Sequence, residues 1–164
     1  MPAVDMFAAA ARLFAMDEGV WLRHASPWSV WTRVATLPVL LLALWSRVWF
    51  GWWALIPIAA ACAWLWLNPR LFAPPPRTDS WAAEATLGER IWLDRHARAI
   101  PAHHRVLPHV LALVAAAGFV LACTGALAGA LWPTLLGASL TYAGKLWFCD
   151  RMVWLHRDAT GAGQ

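Results

Sequence analysis

Six histidines are the residues of this sequence with the clearest capacity for chemistry. Imidazole binds transition metals and carries protons near neutral pH more readily than other side chains. Every histidine falls in a segment that the hydropathy pattern predicts on one side of a bilayer. The sequence therefore indicates a place for metal or proton chemistry without naming the reaction. The six residues are His24, His96, His103, His104, His109 and His156.

The tandem His103-His104 is the most informative pair among them. It follows Pro101, where we expect the chain to turn just before an apolar helix that contains His109. Adjacent residues on a helix point about 100° apart. Only one of the two tandem histidines can therefore face a helical bundle together with His109.

A carboxylate and a further histidine extend the set of candidate ligands. Glu89 and His96 are separated by seven positions on a predicted helix, which is about 10 Å along its axis and too far for both to bind one ion directly. We predict a transition metal, iron in particular, held at the cytoplasmic face. The predicted metal ligands are His24, Glu89, His96, His103, His104 and His109.

A second polar set lies at predicted helix ends. Lys145 enters the membrane zone about one turn from Asp150. A lysine at such a depth can snorkel to water, pair with Asp150 or Glu89, or hold an anionic group. The residues predicted to bind a substrate or a lipid headgroup are Arg33, Arg70, Lys145, Asp150 and Arg151.

The composition indicates which elements position these residues. Of the 164 residues, 61% are apolar and 13% are charged, whereas soluble domains have roughly 45–50% and about 25%. We predict an all-α polytopic membrane protein with four transmembrane helices in two hairpins, plus amphipathic surface helices. The apolar stretches that approach the roughly 17–25 residues of a membrane span are residues 30–45, 48–67, 106–127 and 131–148.

A single membrane domain over residues 1–164 accommodates this pattern. Its predicted parts are an N-terminal interfacial segment at 1–26 with an amphipathic helix at 1–16, hairpin one at 30–67, a cytoplasmic loop at 68–105, hairpin two at 106–149, and a tail at 150–164.

Capping and breaking residues predict several helix ends. Ser26 can cap the first apolar helix with Pro27 at its first position. The sequence Asn68-Pro69-Arg70 is predicted to stop the second. A short helix is predicted to begin near Ser80, to reach about Arg98 and to lie along the membrane surface.

Small residues predict a close contact in the second hairpin. Gly118 and Gly125, with Ala122 between them, allow the third apolar helix to approach a neighbour closely.

The distribution of positive charge predicts the orientation. Of the thirteen Lys and Arg residues, twelve lie on the side of the termini and the central loop, and only Arg47 lies in the opposite turns. Lys and Arg near membrane ends are retained in the cytoplasm, so we predict a bacterial inner-membrane protein with both termini cytoplasmic. The predicted partners are the bilayer, its anionic lipids, and either further copies of this chain in a homo-oligomer or a larger membrane complex. The net charge of +4 needs no nucleic acid to explain it.

Five sequence blocks resemble a family of small tryptophan-rich bacterial membrane proteins that is catalogued as a domain of unknown function. The likeness covers about residues 17–158, supports four spans and implies no activity. The blocks are residues 23–33, 68–72, 88–93, 100–104 and 144–148.

The layout also resembles membrane non-haem di-iron hydroxylases and desaturases, which pair helical hairpins with cytoplasmic histidine clusters. This chain departs from them because it has one His-His pair and six histidines without their three-cluster pattern. The resemblance implies that carboxylates could complete a smaller site. The candidates are Glu84, Glu89, Asp94 and Asp150.

Three functions follow as alternatives. The first is a metal-dependent membrane oxidoreductase that acts on an apolar or lipid substrate. The second is a haem-binding electron-transfer subunit, with His109 as one axial ligand and His24 or His156 as the other. The third is a non-enzymatic lipid-binding scaffold that grips anionic headgroups through arginines. The sequence contains no glycine-rich phosphate loop, no GxSxG nucleophile and no HExxH zinc motif.

Overall fold

The computed structural model describes residues 17–161, and these form helices joined by turns with no strand among them. The amphipathic helix predicted over residues 1–16 lies outside the described residues. Three-residue and four-residue 3-10 turns occur at Ala102–His104 and Gly51–Ala54. The helices are α1 (Glu18–His24), α2 (Pro27–Trp45), α3 (Arg47–Phe50), α4 (Leu55–Leu71), α5 (Trp81–Leu93), α6 (Leu107–Leu127) and α7 (Leu131–Thr160).

Helices α2 and α4 form the first hairpin. Helix α2 begins with Ser26 as its N-cap residue and Pro27 in its first turn, as the sequence predicts, although the Ser26 side chain makes no capping hydrogen bond. The predicted stop at Asn68-Pro69-Arg70 agrees with the structure to within one residue, because α4 includes these three residues and ends at Leu71. Asn68 is fully buried and hydrogen-bonded to α2, which holds the last turn in place although Pro69 lacks a backbone donor.

Helices α6 and α7 form the second hairpin, and their backbones touch at glycines. A Cβ atom at Gly118 would lie 2.7 Å from the Thr141 nitrogen, and one at Gly144 would lie 2.7 Å from the Ala115 nitrogen. Gly125 makes a similar approach to Thr134. The close contact predicted for this hairpin is therefore confirmed. The spacing of seven between Gly118 and Gly125 repeats the contact every second turn.

The two hairpins lie side by side with both turns at one end. The Arg47 side chain donates a hydrogen bond to the Leu127 carbonyl oxygen over 3.1 Å, which joins the two turns. Leu41 of α2 packs against Ala122 of α6. The Tyr142 hydroxyl of α7 donates to the Val34 carbonyl oxygen of α2. The segments that carry the histidines consequently share the opposite end, which we call the polar end.

Two segments, Pro27–Leu71 and Ala102–Leu127, are long and apolar enough to cross a membrane. Of the most apolar 18 residues in each, 11% and 28% are buried inside the protein, whereas the core helix of a soluble protein is mostly buried. Large apolar side chains such as Leu42 and Leu113 point outward. Exposed apolar surface of this extent is typical of sites that contact another protein or a membrane.

Helix α7 is much longer than predicted. Its 30 residues extend about 45 Å, compared with about 32 Å for the 21 residues of α6. The segment predicted as the tail from residue 150 continues this helix, which ends only at Gly161, where the backbone adopts a left-handed conformation with φ 71°. The C-terminal part of α7 projects beyond α6 and buries Met152, Val153 and Leu155, and this packing explains why it stays helical.

Helix α5 packs against this projecting part of α7. Its start is as predicted, because the Ser80 side chain caps it by accepting from the Ala83 nitrogen. Its predicted end near Arg98 is wrong, because α5 stops at Leu93 and the polar residues that follow offer no apolar face to bury. A Cβ atom at Gly88 would lie 3.0 Å from the Cα of Met152 and closer still to its carbonyl group.

The contact between Gly88 and α7 yields a stability prediction. Gly88→Ala should lower the free energy of unfolding by about 1–3 kcal/mol, because the added methyl group meets backbone that cannot move aside. The matched control is Gly19→Ala, where the nearest atom is a side-chain oxygen of Asp17 at 3.5 Å and the helix propensity of alanine is favourable. Thermal unfolding followed by circular dichroism in detergent measures both. Equal melting temperatures for the two variants would contradict the proposed contact.

Candidate functional site

Two clusters of polar side chains lie at the polar end. The first, which we call the histidine–aspartate cluster, consists of His103, His104, Arg151 and Asp158. The second, which we call the buried relay, runs from Arg33 through His24, Ser29 and Asn68 to Thr32. The two clusters place histidines in different chemical roles.

The 3-10 turn Ala102–His104 positions the tandem histidines. Pro101 precedes it in an extended conformation with ψ 143°, and the His104 backbone N–H donates to the Pro101 carbonyl oxygen, which closes the turn. His104 is fully buried, whereas the side chain of His103 is 61% exposed. As the sequence predicts, only one of the pair faces the protein interior. The ring centroids are nevertheless 4.1 Å apart, so both rings can reach one partner.

That partner is Asp158 on the projecting part of α7. Its Oδ2 atom lies 2.9 Å from His104 Nε2 and 3.0 Å from His103 Nε2. The hydrogen bonds from His104 and then from His103 hold the pKa of the Asp158 carboxyl below its ordinary value. The carboxylate is consequently ionised near neutral pH, and it accepts from two imidazoles at the rim of the protein.

Arg151 determines the tautomer of His104. Its guanidinium lies 3.3 Å from His104 Nδ1 and 4.6 Å from the centre of the Trp154 ring. Because a guanidinium has only donors, Nδ1 must be the unprotonated nitrogen, and the proton sits on Nε2 and points to Asp158. His104 is therefore a neutral bridge between a cation and an anion.

The same cluster has the composition of a metal site. Two imidazole nitrogens and one carboxylate oxygen, from His103, His104 and Asp158, lie within 4.8 Å of one another. Neighbouring ligands of an ion with bonds of about 2.1 Å are about 3.0–3.4 Å apart, which is close to the observed 2.9 and 3.0 Å. One feature opposes the fit, because a metal-bound imidazole normally donates from its second nitrogen, and Arg151 is itself a donor there.

The buried relay is a directed chain of hydrogen bonds. Ser29 donates to the Asn68 side-chain oxygen over 2.8 Å, and Asn68 donates to the Thr32 hydroxyl over 2.7 Å. Thr32 in turn donates to the Trp28 carbonyl oxygen over 2.6 Å. Since the Ser29 hydroxyl proton is committed to Asn68, its oxygen accepts from His24 Nδ1 at 3.0 Å. Ser29 and Asn68 are fully buried, and the chain gives each of them a hydrogen-bond partner.

His24 links the relay to Arg33. Its Nε2 atom carries a lone pair because Nδ1 bears the proton, and it lies 3.3 Å from the Arg33 guanidinium. Burial, and then the positive charges of Arg33 and Lys145, lower the pKa of His24 from 6.5 to about 3. His24 is therefore neutral near neutral pH and acts as an acceptor for Arg33.

A carboxylate on α5, Glu89, pairs with a second cation, Lys145 on α7. Lys145 Nζ is 3.4 Å from Glu89 Oε1 and 4.9 Å from the centre of the Phe148 ring. The charge of Glu89 acts on Arg33 as well as on Lys145. Glu89 thus serves two cations, and among the alternatives left open for Lys145 the structure shows its pairing with Glu89.

The remaining predicted site residues lie elsewhere. His96 is exposed beyond the end of α5, and His109 donates from Nδ1 to the Arg105 carbonyl oxygen while its ring meets Trp92 edge-on. Arg70 lies over the Trp66 ring. Asp150 accepts from the Trp81 indole nitrogen over 3.3 Å.

Of the six predicted metal ligands, the structure brings His103 and His104 together, and it adds Asp158, which sequence reasoning missed. The signal was present, because Met152, Val153 and Leu155 continue the apolar spacing of a helix into the supposed tail. Ser29 and Asn68 were also missed. Both are polar residues at the ends of apolar stretches, where a buried partner is a reasonable expectation.

The fold and its clusters define an all-α protein of two long apolar hairpins with charged and imidazole groups gathered at one end. A family described as "Family of unknown function (DUF6653)" matches residues 4–164. The chain belongs to this family, which confirms the resemblance to a family of unknown function. No curated protein and no solved structure matches the chain, so the likeness to di-iron enzymes gains no support.

The state of His24 yields a prediction of pH dependence. The unfolded chain takes up a proton on this histidine below pH 6.5, whereas the folded protein does so only near pH 3. Stability from this group is therefore complete above pH 6.5 and declines as the pH falls from 6.5 toward 3. At pH 4.5 we expect a loss of about 2–3 kcal/mol relative to pH 7.5.

The matched variant is His24→Gln, which can donate to Ser29 and accept from Arg33 without titrating. Thermal unfolding in detergent between pH 7.5 and 4.5 should show a steeper loss of stability in the wild type than in this variant. Parallel curves for the two proteins would show that His24 is not held neutral in the fold.

Proposed function

We propose that the protein is an integral membrane protein of the bacterial inner membrane with four spanning helices and both termini cytoplasmic. The spans are α2, α4, α6 and the part of α7 that faces α6. The support comes from their outward apolar side chains and from the placement of both inter-helix turns at one end. Lys and Arg are concentrated at the polar end, which favours a cytoplasmic location for that end.

Labelling of single cysteines tests this topology. In a background with Cys62, Cys123 and Cys149 replaced by alanine, Arg47→Cys and Ala128→Cys should react with a membrane-impermeant maleimide in spheroplasts. Ala73→Cys and Ala159→Cys should react only after the membrane is permeabilised, because the proposal puts them on the cytoplasmic side. Reaction of Arg47→Cys and Ala73→Cys from the same side would rule out the first membrane hairpin.

The proposal assigns transition-metal binding to the histidine–aspartate cluster. The observation that carries it is the convergence of His103, His104 and Asp158 within 4.8 Å at the rim of the protein. Two histidines and one carboxylate form the ligand set of many non-haem Fe(II) sites, which keep positions open for other ligands, and the same set suits Zn²⁺. Bound there, such an ion would supply Lewis-acid or one-electron chemistry. Oxidation of an apolar substrate stays a prediction, as does haem binding.

Metal binding would require two changes in the chain's own groups. The proton on His104 Nε2 must leave, because that nitrogen becomes the ligand atom. His104 must then carry its proton on Nδ1, where the Arg151 guanidinium now donates. The Arg151 guanidinium therefore opposes metal binding. The tautomer of His104 that accepts from Arg151 and the tautomer that binds a metal ion exclude each other.

Metal titration of the purified protein tests the assignment. Fe(II) under anaerobic conditions, and Zn(II) separately, should bind near one ion per chain. His103→Ala and Asp158→Ala should weaken the affinity by about tenfold or more, because each removes a ligand atom. Both residues are at least 40% exposed in their side chains, so these variants should fold. His96→Ala and His109→Ala, which alter predicted ligands outside the cluster, are the matched controls and should bind like the wild type.

Arg151→Gln separates a metal site from a purely structural ion pair. A glutamine oxygen at this position can accept from His104 Nδ1, which is the arrangement that metal-bound imidazoles prefer. The variant should therefore bind metal more tightly than the wild type. Equal affinity in the wild type, in Asp158→Ala and in the two controls would overturn the metal assignment. The absorption spectrum of the same preparations detects haem.

A further inference from the structure

We propose that Arg33 and Lys145 form a binding site for an anionic group, a phosphate or a carboxylate, and that an anionic lipid headgroup is its occupant in the membrane. The site lies where α2, α5 and α7 meet, and it is distinct from the histidine–aspartate cluster. The identity of the occupant rests on the proposed membrane placement, whereas the anion chemistry rests on the side chains alone.

The first support is the way in which Arg33 is held. Four side chains are hydrogen-bonded in series, and their donor directions leave one lone pair of the imidazole facing the Arg33 guanidinium. The four are Thr32, Asn68, Ser29 and His24. A neutral acceptor fixes the direction of the guanidinium and leaves its charge in place. An aspartate or glutamate at the position of His24 would have cancelled that charge.

The second support is the charge around Glu89. This carboxylate lies 3.4 Å from Lys145 Nζ, which is long for an ion pair, and its charge acts on Arg33 as well. One anion between two cations leaves a positive field that favours a further anion. The Lys145 side chain is 49% exposed, so an incoming group can reach it.

The third support is the depth of the pair. Arg33 lies between the polar start of α2 and the apolar remainder of that helix. Trp31, two residues earlier on α2, stacks on Trp81 and is half exposed. Trp147, two residues after Lys145 on α7, is 56% exposed. Tryptophans with such exposure prefer headgroup depth. The two cations therefore lie where phosphate groups of lipids are found, which favours a lipid over a free ion.

The experiment compares phosphatidylglycerol, phosphatidylcholine and inorganic phosphate added to the detergent-solubilised full chain. Bound lipid is measured by native mass spectrometry, and the melting temperature is measured in parallel. Phosphatidylglycerol should bind and raise the melting temperature, and phosphatidylcholine should not. Arg33→Gln and Lys145→Gln should each weaken phosphatidylglycerol binding by at least about tenfold, because each removes a charged hydrogen bond to the anion.

Arg77→Gln is the matched control, since Arg77 is a cation in the loop before α5 whose guanidinium pairs with Asp79 and whose side chain is 81% exposed. It should retain phosphatidylglycerol binding. Stabilisation by inorganic phosphate that both test variants abolish, without preference for phosphatidylglycerol, would support the anion site and assign it to a free ion. Retention of phosphatidylglycerol binding in both test variants would overturn the proposal. Metal titration of the same variants should match the wild type, so a failure here is distinguishable from a failure of the metal assignment.

Discussion

Backbone contact along α7 is the constraint on which the other features of this fold depend. Glycines of α6 and α7 bring the second hairpin together, and Gly88 brings α5 against the projecting part of α7. A helix packed so closely on both sides cannot rotate without moving backbone. Its polar side chains are therefore fixed in direction at successive heights, with Lys145 facing Glu89 and Asp158 facing the tandem histidines. Loops in place of α7 could not hold both pairs in fixed directions along one axis.

The two polar clusters share one hydrogen-bonding arrangement and differ in the group that accepts the last hydrogen bond. In each, an arginine donates to one nitrogen of a neutral histidine, and the other nitrogen donates onward. Behind His24 the chain of donors ends at a backbone carbonyl oxygen, so no anion is needed and the relay can be buried. Behind His104 it ends at the Asp158 carboxylate, which stays at the rim where water can solvate it. The buried relay suits a fixed scaffold. In the histidine–aspartate cluster, the proton on His104 can be exchanged for another cation.

Local chemistry was sufficient to predict some of these features and insufficient for others. The start of α2 at Pro27 and the glycine contact in the second hairpin follow from residue properties that act within one or two turns. The passage of α4 through Pro69 could not be foreseen, because it depends on Asn68 finding Ser29 and Thr32 on another helix. The same holds for Asp158, since its position depends on α7 continuing, and α7 continues because α5 covers its apolar face. Tertiary packing extended a helix beyond its apolar stretch in both cases.

The distance between the clusters limits how they can act together. Lys145 and Asp158 are thirteen residues apart on one helix, which corresponds to about 20 Å along its axis. An amphiphile held at Lys145 by its headgroup would extend its apolar chain toward the Arg47 end of the hairpins, away from Asp158, because only that direction is apolar. A metal ion at the histidine–aspartate cluster would consequently lie far from the carbon atoms of such a ligand. The geometry therefore favours two separate binding events, with the metal acting on a group that arrives from the aqueous side or tying the histidine turn to α7.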